Sequence, residues 1–212
     1  MKIGIIGASG KAGQFLAGEA LERGYGVTAL VRDKSKITDP RLLILERDIF
    51  VLTPEDCAGF NAVIDAFKAP EGKEEQHLTS MEHLIAVFGQ LPGVRLLVVG
   101  GAGSLFTDAG MSTRLMDTPS FPTAFLPTAS SMGKAFEKLQ ASTVAWTYLS
   151  PAAEFDPRGR RTGFYTLGGD VMIRNRSGES YVSYADYAVA MIDEIRDKAH
   201  VGKRFTVVSE KN

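Results

Sequence analysis

The chain has 212 residues, of which 44% are apolar and 23% charged, with 24 Lys and Arg set against 25 Asp and Glu. That composition excludes a disordered or fibrous chain, and a net charge of −1 leaves no bulk positive field to hold nucleic acid or anionic lipid. Cys57 is the single cysteine, which excludes an internal disulfide and reads as a small buried apolar residue in a reducing compartment. No apolar run approaches the ~18 residues of a membrane helix, and the opening run is too short for a signal-peptide core. A cytoplasmic protein with neither membrane nor nucleic-acid partners is therefore expected. The length suits one domain over 1–212.

In chain order, an apolar strand over Lys2–Ile6 runs into Gly7-Ala8-Ser9-Gly10-Lys11-Ala12-Gly13. A helix follows over about Ala12–Arg23, with Ala12, Leu16 and Ala20 on one face. The next strand, Val27–Val31, ends on Arg32 and Asp33, with Lys34 and Lys36 just beyond. Further strands are read at Leu42–Leu45, Ala62–Asp65, Leu96–Val99, Thr143–Leu149 and Arg204–Val208, and helices at Glu74–Gln90, Ser131–Ala141 and Tyr184–Lys198. Short apolar runs alternating with amphipathic stretches predict a doubly wound α/β fold, a mostly parallel sheet of about seven strands with helices on both faces. Two irregular segments interrupt the alternation. One spans about 101–128; the other spans about 151–181, where Arg-Gly-Arg-Arg and Gly-Gly turn signals suggest a small hairpin. Both follow strands, at the sheet edge where ligands of such folds sit, and are expected to wall a substrate site.

The glycine turn sits in the strand–turn–helix–strand context that a dinucleotide site requires. Glycines let the backbone approach a pyrophosphate, and the free N–H groups and dipole at the helix start favour its charge. Gly7, Ser9, Gly10, Lys11, Ala12 and Gly13 are the expected contacts, although a tight turn with no ligand would show the same glycines. Arg32 at the end of the second strand would neutralise the 2′-phosphate of NADP(H), whereas an acid there, with Asp33 as the competitor, would select NAD(H). NADP(H) is the preferred reading and NAD(H) the alternative. Arg47, Asp48 and Ile49 after the third strand are candidates for the adenine end. Ala66, Phe67 and Lys68 are candidates for the ribose and pyrophosphate path, and Gly100 for a contact after the fifth strand.

GASGKAG at 7–13, VTALVRD at 27–33 and LLVVGGAGSL at 96–105 resemble the short-chain dehydrogenase/reductase superfamily in its atypical NmrA-like branch. The likeness is greatest to small bacterial NADH-flavin reductase-like proteins. SPAAEFDPRGRRTGFYTLGGD at 150–170, SYADYAVAMIDEI at 183–195 and GKRFTV at 202–207 carry it further, so it spans nearly the whole chain. The resemblance implies a Rossmann fold, a nicotinamide cofactor and reduction of flavins or related acceptors. It also implies that Pro151 and Ala152 hold the nicotinamide carboxamide, that Ser104 faces the nicotinamide and that Lys134 binds ribose.

The superfamily's dehydrogenases use a Tyr-x-x-x-Lys pair, and none of the six tyrosines here has Lys four residues on. Only Lys134 keeps its place, with Ser130 where the Tyr would stand, and a serine is too weak an acid for that work. Alcohol oxidation and epimerisation, which need the Tyr, are therefore disfavoured. A flavin or quinone ring instead spreads the incoming charge through its own π system and can take a proton from solvent. The expected function is NAD(P)H-dependent hydride transfer to such a small aromatic acceptor, with Ser104 and Lys134 as catalytic candidates and flavin as substrate. The alternative is a non-catalytic NADP(H) sensor of NmrA type. Phe106, Met111, Met116, Phe121 and Phe125 could floor the acceptor site or simply pack upon one another. His77 and His83 lie on different sides of their helix, and no metal motif is present, so no metal is expected. A monomer or homodimer is expected.

Overall fold

The computed structural model describes residues 1–211; Asn212, the last residue of the expected domain, lies outside them. In chain order the elements are β1 (Lys2–Ile6), α1 (Lys11–Glu22), β2 (Gly26–Val31), β3 (Leu43–Glu46), the single turn α2 (Pro54–Cys57), β4 (Ala62–Asp65), α3 (Gln76–Phe88), β5 (Arg95–Val99), α4 (Leu126–Gln140), β6 (Trp146–Ser150), β7 (Glu154–Asp156), β8 (Thr166–Gly168), β9 (Tyr181–Ser183), α5 (Tyr184–Asp197) and β10 (Lys203–Val208). The eight-stranded sheet has the order β3-β2-β1-β4-β5-β6-β10-β8 and is parallel except where β8 runs antiparallel to β10. This is the expected Rossmann-like α/β fold, one strand larger than anticipated.

The strands read as unbroken apolar runs because helices cover both faces. Ile3 and Ile5 of β1 pack with Leu16 and Ala20 of α1 and with Met191 and Ile195 of α5. Ile6, with Val63, Leu96 and Val98, faces Leu84 and Phe88 of α3 and Phe136 and Leu139 of α4. Strand order reverses between β1 and β4, which opens a crevice at their carboxyl ends, and the glycine turn lies there. α4 begins at Leu126, with Pro127 in its first turn where the missing N–H costs nothing, five residues before the expected start at Ser131.

The hairpin expected within 151–181 does not form. β7 instead pairs in parallel with β9, Glu154 opposite Tyr181, and β8 adds to the free edge of β10. Turn signals mark where a chain bends but not which strand it will meet, and here better partners lay outside the segment. The intervening strap is bonded to α1 and α5. Arg161 grips the Glu19 carboxylate at 2.9 and 3.0 Å, and Tyr165 donates to Asp193 at 2.6 Å. Asp186, fully buried, accepts from the backbone N–H groups of Thr162 and Gly163 and from the Thr162 hydroxyl. Much of the 150–170 stretch is thus a brace on the outside of the helices.

Candidate cofactor and acceptor site

The turn from β1 to α1 is built by glycines with different duties. Gly7 has φ +74°, where a side chain is strained, and a Cβ there would lie 2.7 Å from the carbonyl oxygen of Ala66. At Gly13 a Cβ would lie 2.2 Å from the Gly7 carbonyl oxygen and 2.7 Å from the Ala8 Cα, so this glycine lets α1 close upon β1. Gly10 is different. Its backbone is ordinary (φ −77°, ψ 167°), and a Cβ would meet only the Gly7 carbonyl oxygen, at 3.2 Å. The fold needs little from the absence of a side chain at Gly10; the space it leaves is exposed, at the start of α1. That helix has no side-chain cap and no acid in its first turn, so its leading N–H groups and positive dipole end face outward unneutralised. A pyrophosphate fits this cradle.

Next to the turn lies a crevice lined by Ile6, Gly7, Ser9, Leu30, Val31, Arg32, Asp33, Lys36, Arg47, Ile49, Leu52 and Phe67. It brings together six residues proposed from sequence, Gly7, Ser9, Arg32, Arg47, Ile49 and Phe67, and Lys36 joins the two arginines on its cationic rim. Arg32 is exposed, its Nε 3.8 Å from the Asp48 carboxylate. Asp48 in turn accepts from the Phe50 N–H and so shapes the turn that buries Ile49 in the floor. Asp33, the competitor for the adenosine ribose, is bonded elsewhere. It accepts the backbone N–H of Ser35 at 3.0 Å and the Ser35 hydroxyl at 2.6 Å, bonds that hold its carboxyl below the usual range.

Past the carboxyl end of β4, Asp65 is buried and accepts the Phe67 N–H at 3.0 Å, and burial pushes its carboxyl up to about 6. His77, buried in α3, accepts the Ala69 N–H at 3.4 Å, and burial pulls it down to about 4. These two groups pin the Ala66–Lys68 segment from either side, and Phe67 sits edge-on to both Phe50 and His77. His83 bonds the Leu52 carbonyl instead, so the histidines serve separate backbone sites. Gly100 makes room for Tyr148, whose Cε1 a Cβ would meet at 2.1 Å; the phenol accepts the Gly101 N–H at 3.2 Å, and burial pushes it up to about 12.

The two catalytic candidates share neither a bond nor a cavity. Lys134 is exposed on α4 with no ion-pair partner among the described residues. Ser104 is buried, its hydroxyl and carbonyl oxygens both accepting from Arg204, at 3.1 and 3.0 Å. Pro151 and Ala152 are buried beyond β6, Ala152 within the core beneath α1 and α5. The apolar residues of 101–128 form no single floor. Met116 turns inward against Gly103 and Gly133, and Phe125 is 62% exposed. Only Phe106 and Met111 face a common cavity, with Ser104, Arg114, Gly133, Phe136, Asp170 and Arg204.

Asp65, Tyr148, Asp170 and Arg204 were not found from sequence. A signal existed for two of them. Asp65 closes the apolar run of β4 and Arg204 sits in that of β10, and a charge inside a buried strand demands a partner.

Residues 7–198 match the NAD(P)H-binding family. The uncharacterized protein YwnB of Bacillus subtilis (strain 168) is 54% identical over 211 residues, 99% of each chain. A Streptococcus pneumoniae TIGR4 structure, provisionally named an NADH-flavin reductase, superposes with a TM-score of 0.93 at 39% identity, over 99% of this chain and 100% of that one. Another from Bacteroides thetaiotaomicron, provisionally named an epimerase, gives 0.84 at 38% identity, over 100% and 99%. These matches, over most of the chain and starting at the glycine turn that borders the crevice, show that the chain belongs to the NAD(P)H-binding family.

Proposed function

We propose that this protein is an NADPH-dependent reductase of flavin or quinone-like acceptors, working without a tyrosine acid. One observation carries the cofactor half. Gly10 leaves an exposed, nearly unobstructed space at an uncapped helix start, beside a rim that holds Arg32, Lys36 and Arg47. The pyrophosphate would lie on the N–H groups at Gly10–Gly13 and the 2′-phosphate against Arg32. Lys134, without an ion-pair partner among the described residues, would bind the nicotinamide ribose, with Pro151 and Ala152 beside the carboxamide. The Streptococcus protein's name specifies NADH, so the choice between cofactors belongs to the test below.

When bound, the nicotinamide supplies a hydride, two electrons and one proton's worth of hydrogen, to an electrophilic ring atom of the acceptor, while water supplies the second proton. The chain's own work is to hold the rings in register and keep water from the transferring face. Four of the six tyrosines fit this division of labour. Tyr148 and Tyr187 are wholly buried, with phenol groups bonded to Gly101 and Leu149, and Tyr165 and Tyr181 are tied to Asp193 and Asp156. Steady oxidation of NADPH, and more weakly of NADH, on adding riboflavin, FMN or a naphthoquinone is the expected result. Tight NADPH binding with no turnover on any of these acceptors would favour the sensor reading instead.

A further inference from the structure

Arg204 is 7% exposed, and its side chain bonds two segments that are distant from it in sequence. Its Nη1 donates to both oxygens of Ser104 in the 101–128 segment. Its Nε donates to the Asp170 carboxylate at 2.7 Å and its Nη2 to the Asp170 carbonyl at 3.4 Å, in the 151–181 segment. The guanidinium plane lies over the Phe136 ring of α4, 4.8 Å from its centroid. Around this hub the segments also bond directly: Phe106 N–H donates to the Asp170 carbonyl at 3.0 Å, and Met172 N–H to the Phe106 carbonyl at 2.8 Å.

The Ser104 hydroxyl gains a direction from this arrangement. Its oxygen accepts from a cation, and its own proton has no acceptor among the described residues, although the group lies beside the cavity that Phe106, Met111 and Phe136 line. A hydroxyl polarised in this way is a strengthened donor towards a ring carbonyl.

We propose that Arg204 is a positioning residue of the acceptor site: it locks the two irregular segments together and aims the Ser104 hydroxyl at a carbonyl oxygen of a planar aromatic acceptor, a flavin dione or a quinone. This rests on the reductase reading for the acceptor's identity, but not for the locking. Arg204 itself lines this cavity, but its N–H groups are turned to Ser104 and Asp170; it acts through Ser104 and by holding the cavity walls together.

The test compares Arg204→Met, Arg204→Lys and Ser104→Ala with Glu194→Gln. The last weakens a buried ion pair to Arg95, 2.9 Å long, and the Glu194 bonds to His200, all outside both segments, and so supplies a control for loss of a buried charge, its stability measured beside that of Arg204→Met. Arg204→Met should raise the KM for riboflavin on the order of ten- to hundredfold, the cost of hydrogen bonds from a charged group. The Kd for NADPH should stay within about twofold, a split that general destabilisation does not produce. Arg204→Lys should recover part of the loss and Ser104→Ala should lose only a few-fold. Hydrogen exchange at the Phe106 and Met172 amides should quicken in Arg204→Met and not in Glu194→Gln. If the parent protein turns over no acceptor, the reductase reading fails, and exchange together with riboflavin binding to the NADP-loaded protein still judges Arg204. Exchange at those amides that stays at the parent rate, or equal losses of cofactor and acceptor affinity in Arg204→Met and Glu194→Gln, would overturn the proposal.

Discussion

Gly10→Val is the most discriminating single change, because the structure separates what that residue does for the fold from what it does for a ligand. The added Cβ meets only the Gly7 carbonyl oxygen at 3.2 Å, a contact relieved by a few tenths of an ångström. The backbone is already in the extended region that suits a β-branched residue, so the stability cost should stay below about 1 kcal/mol. The branched side chain nevertheless fills the space through which a pyrophosphate must approach the α1 N–H groups. Losing about two charge-assisted hydrogen bonds costs about 3–6 kcal/mol, a weakening of NADPH binding by roughly two to four orders of magnitude. Gly13→Ala provides the contrast. Its Cβ would stand 2.2 Å from the Gly7 carbonyl oxygen, so the overpacking should appear as a drop of about 1–3 kcal/mol or more in stability. Calorimetric titration with NADPH beside thermal unfolding reads both quantities. A well-folded Gly10→Val protein that binds NADPH as tightly as the parent would refute the reasoning and put the dinucleotide elsewhere.

Three further outcomes follow from the site. Arg32→Ala should weaken NADPH by about 1.5 kcal/mol, the low end for a charged partner because Arg32 is exposed, and leave NADH nearly unchanged; equal losses in parallel titrations would remove Arg32 from the 2′-phosphate. Lys134→Ala should raise the KM for cofactor and lower kcat by about tenfold, short of the ~10²–10⁴ lost with a general acid, and a thousandfold collapse with loss of a pH inflection would reveal a proton relay through it. Asp65 has a folded value raised to about 6, so the stability it contributes is full below the ordinary carboxyl range and falls as pH rises towards that value. Denaturant unfolding between about pH 4 and pH 7 should therefore show Asp65→Asn gaining about 2 kcal/mol on the parent, and a constant difference would mean that the carboxyl is not buried in the folded state.

The β1–α1–β2 unit was legible because local signals agree there: apolar runs of strand length, a helical repeat, and glycines at the turn. The cationic rim was legible too, since Arg32 ends a strand whose neighbours were plain. β7, β8 and β9 were not. Each is three residues long, too short to show alternation, and each is a strand only because of its partner. Ser104 shows the limit for the site. The family resemblance implied a group facing the nicotinamide, and the structure adds that its hydroxyl oxygen bonds a guanidinium that lies 100 residues away in sequence. No local pattern encodes such a pairing. The burial of Asp65 and the orientation of Tyr148 under Gly100 likewise arise from packing, in which residues remote in sequence decide the dielectric around a titratable group.

The central claim is that this crevice serves hydride transfer and not occupancy alone. Anaerobic mixing of the protein with NADPH and FMN, following both chromophores together, tests it most directly. The account predicts that the reduced nicotinamide and the oxidised flavin disappear one for one, and that Gly10→Val abolishes the reaction while remaining folded. NADPH that binds with high affinity but stays reduced beside FMN, riboflavin and a naphthoquinone would contradict it.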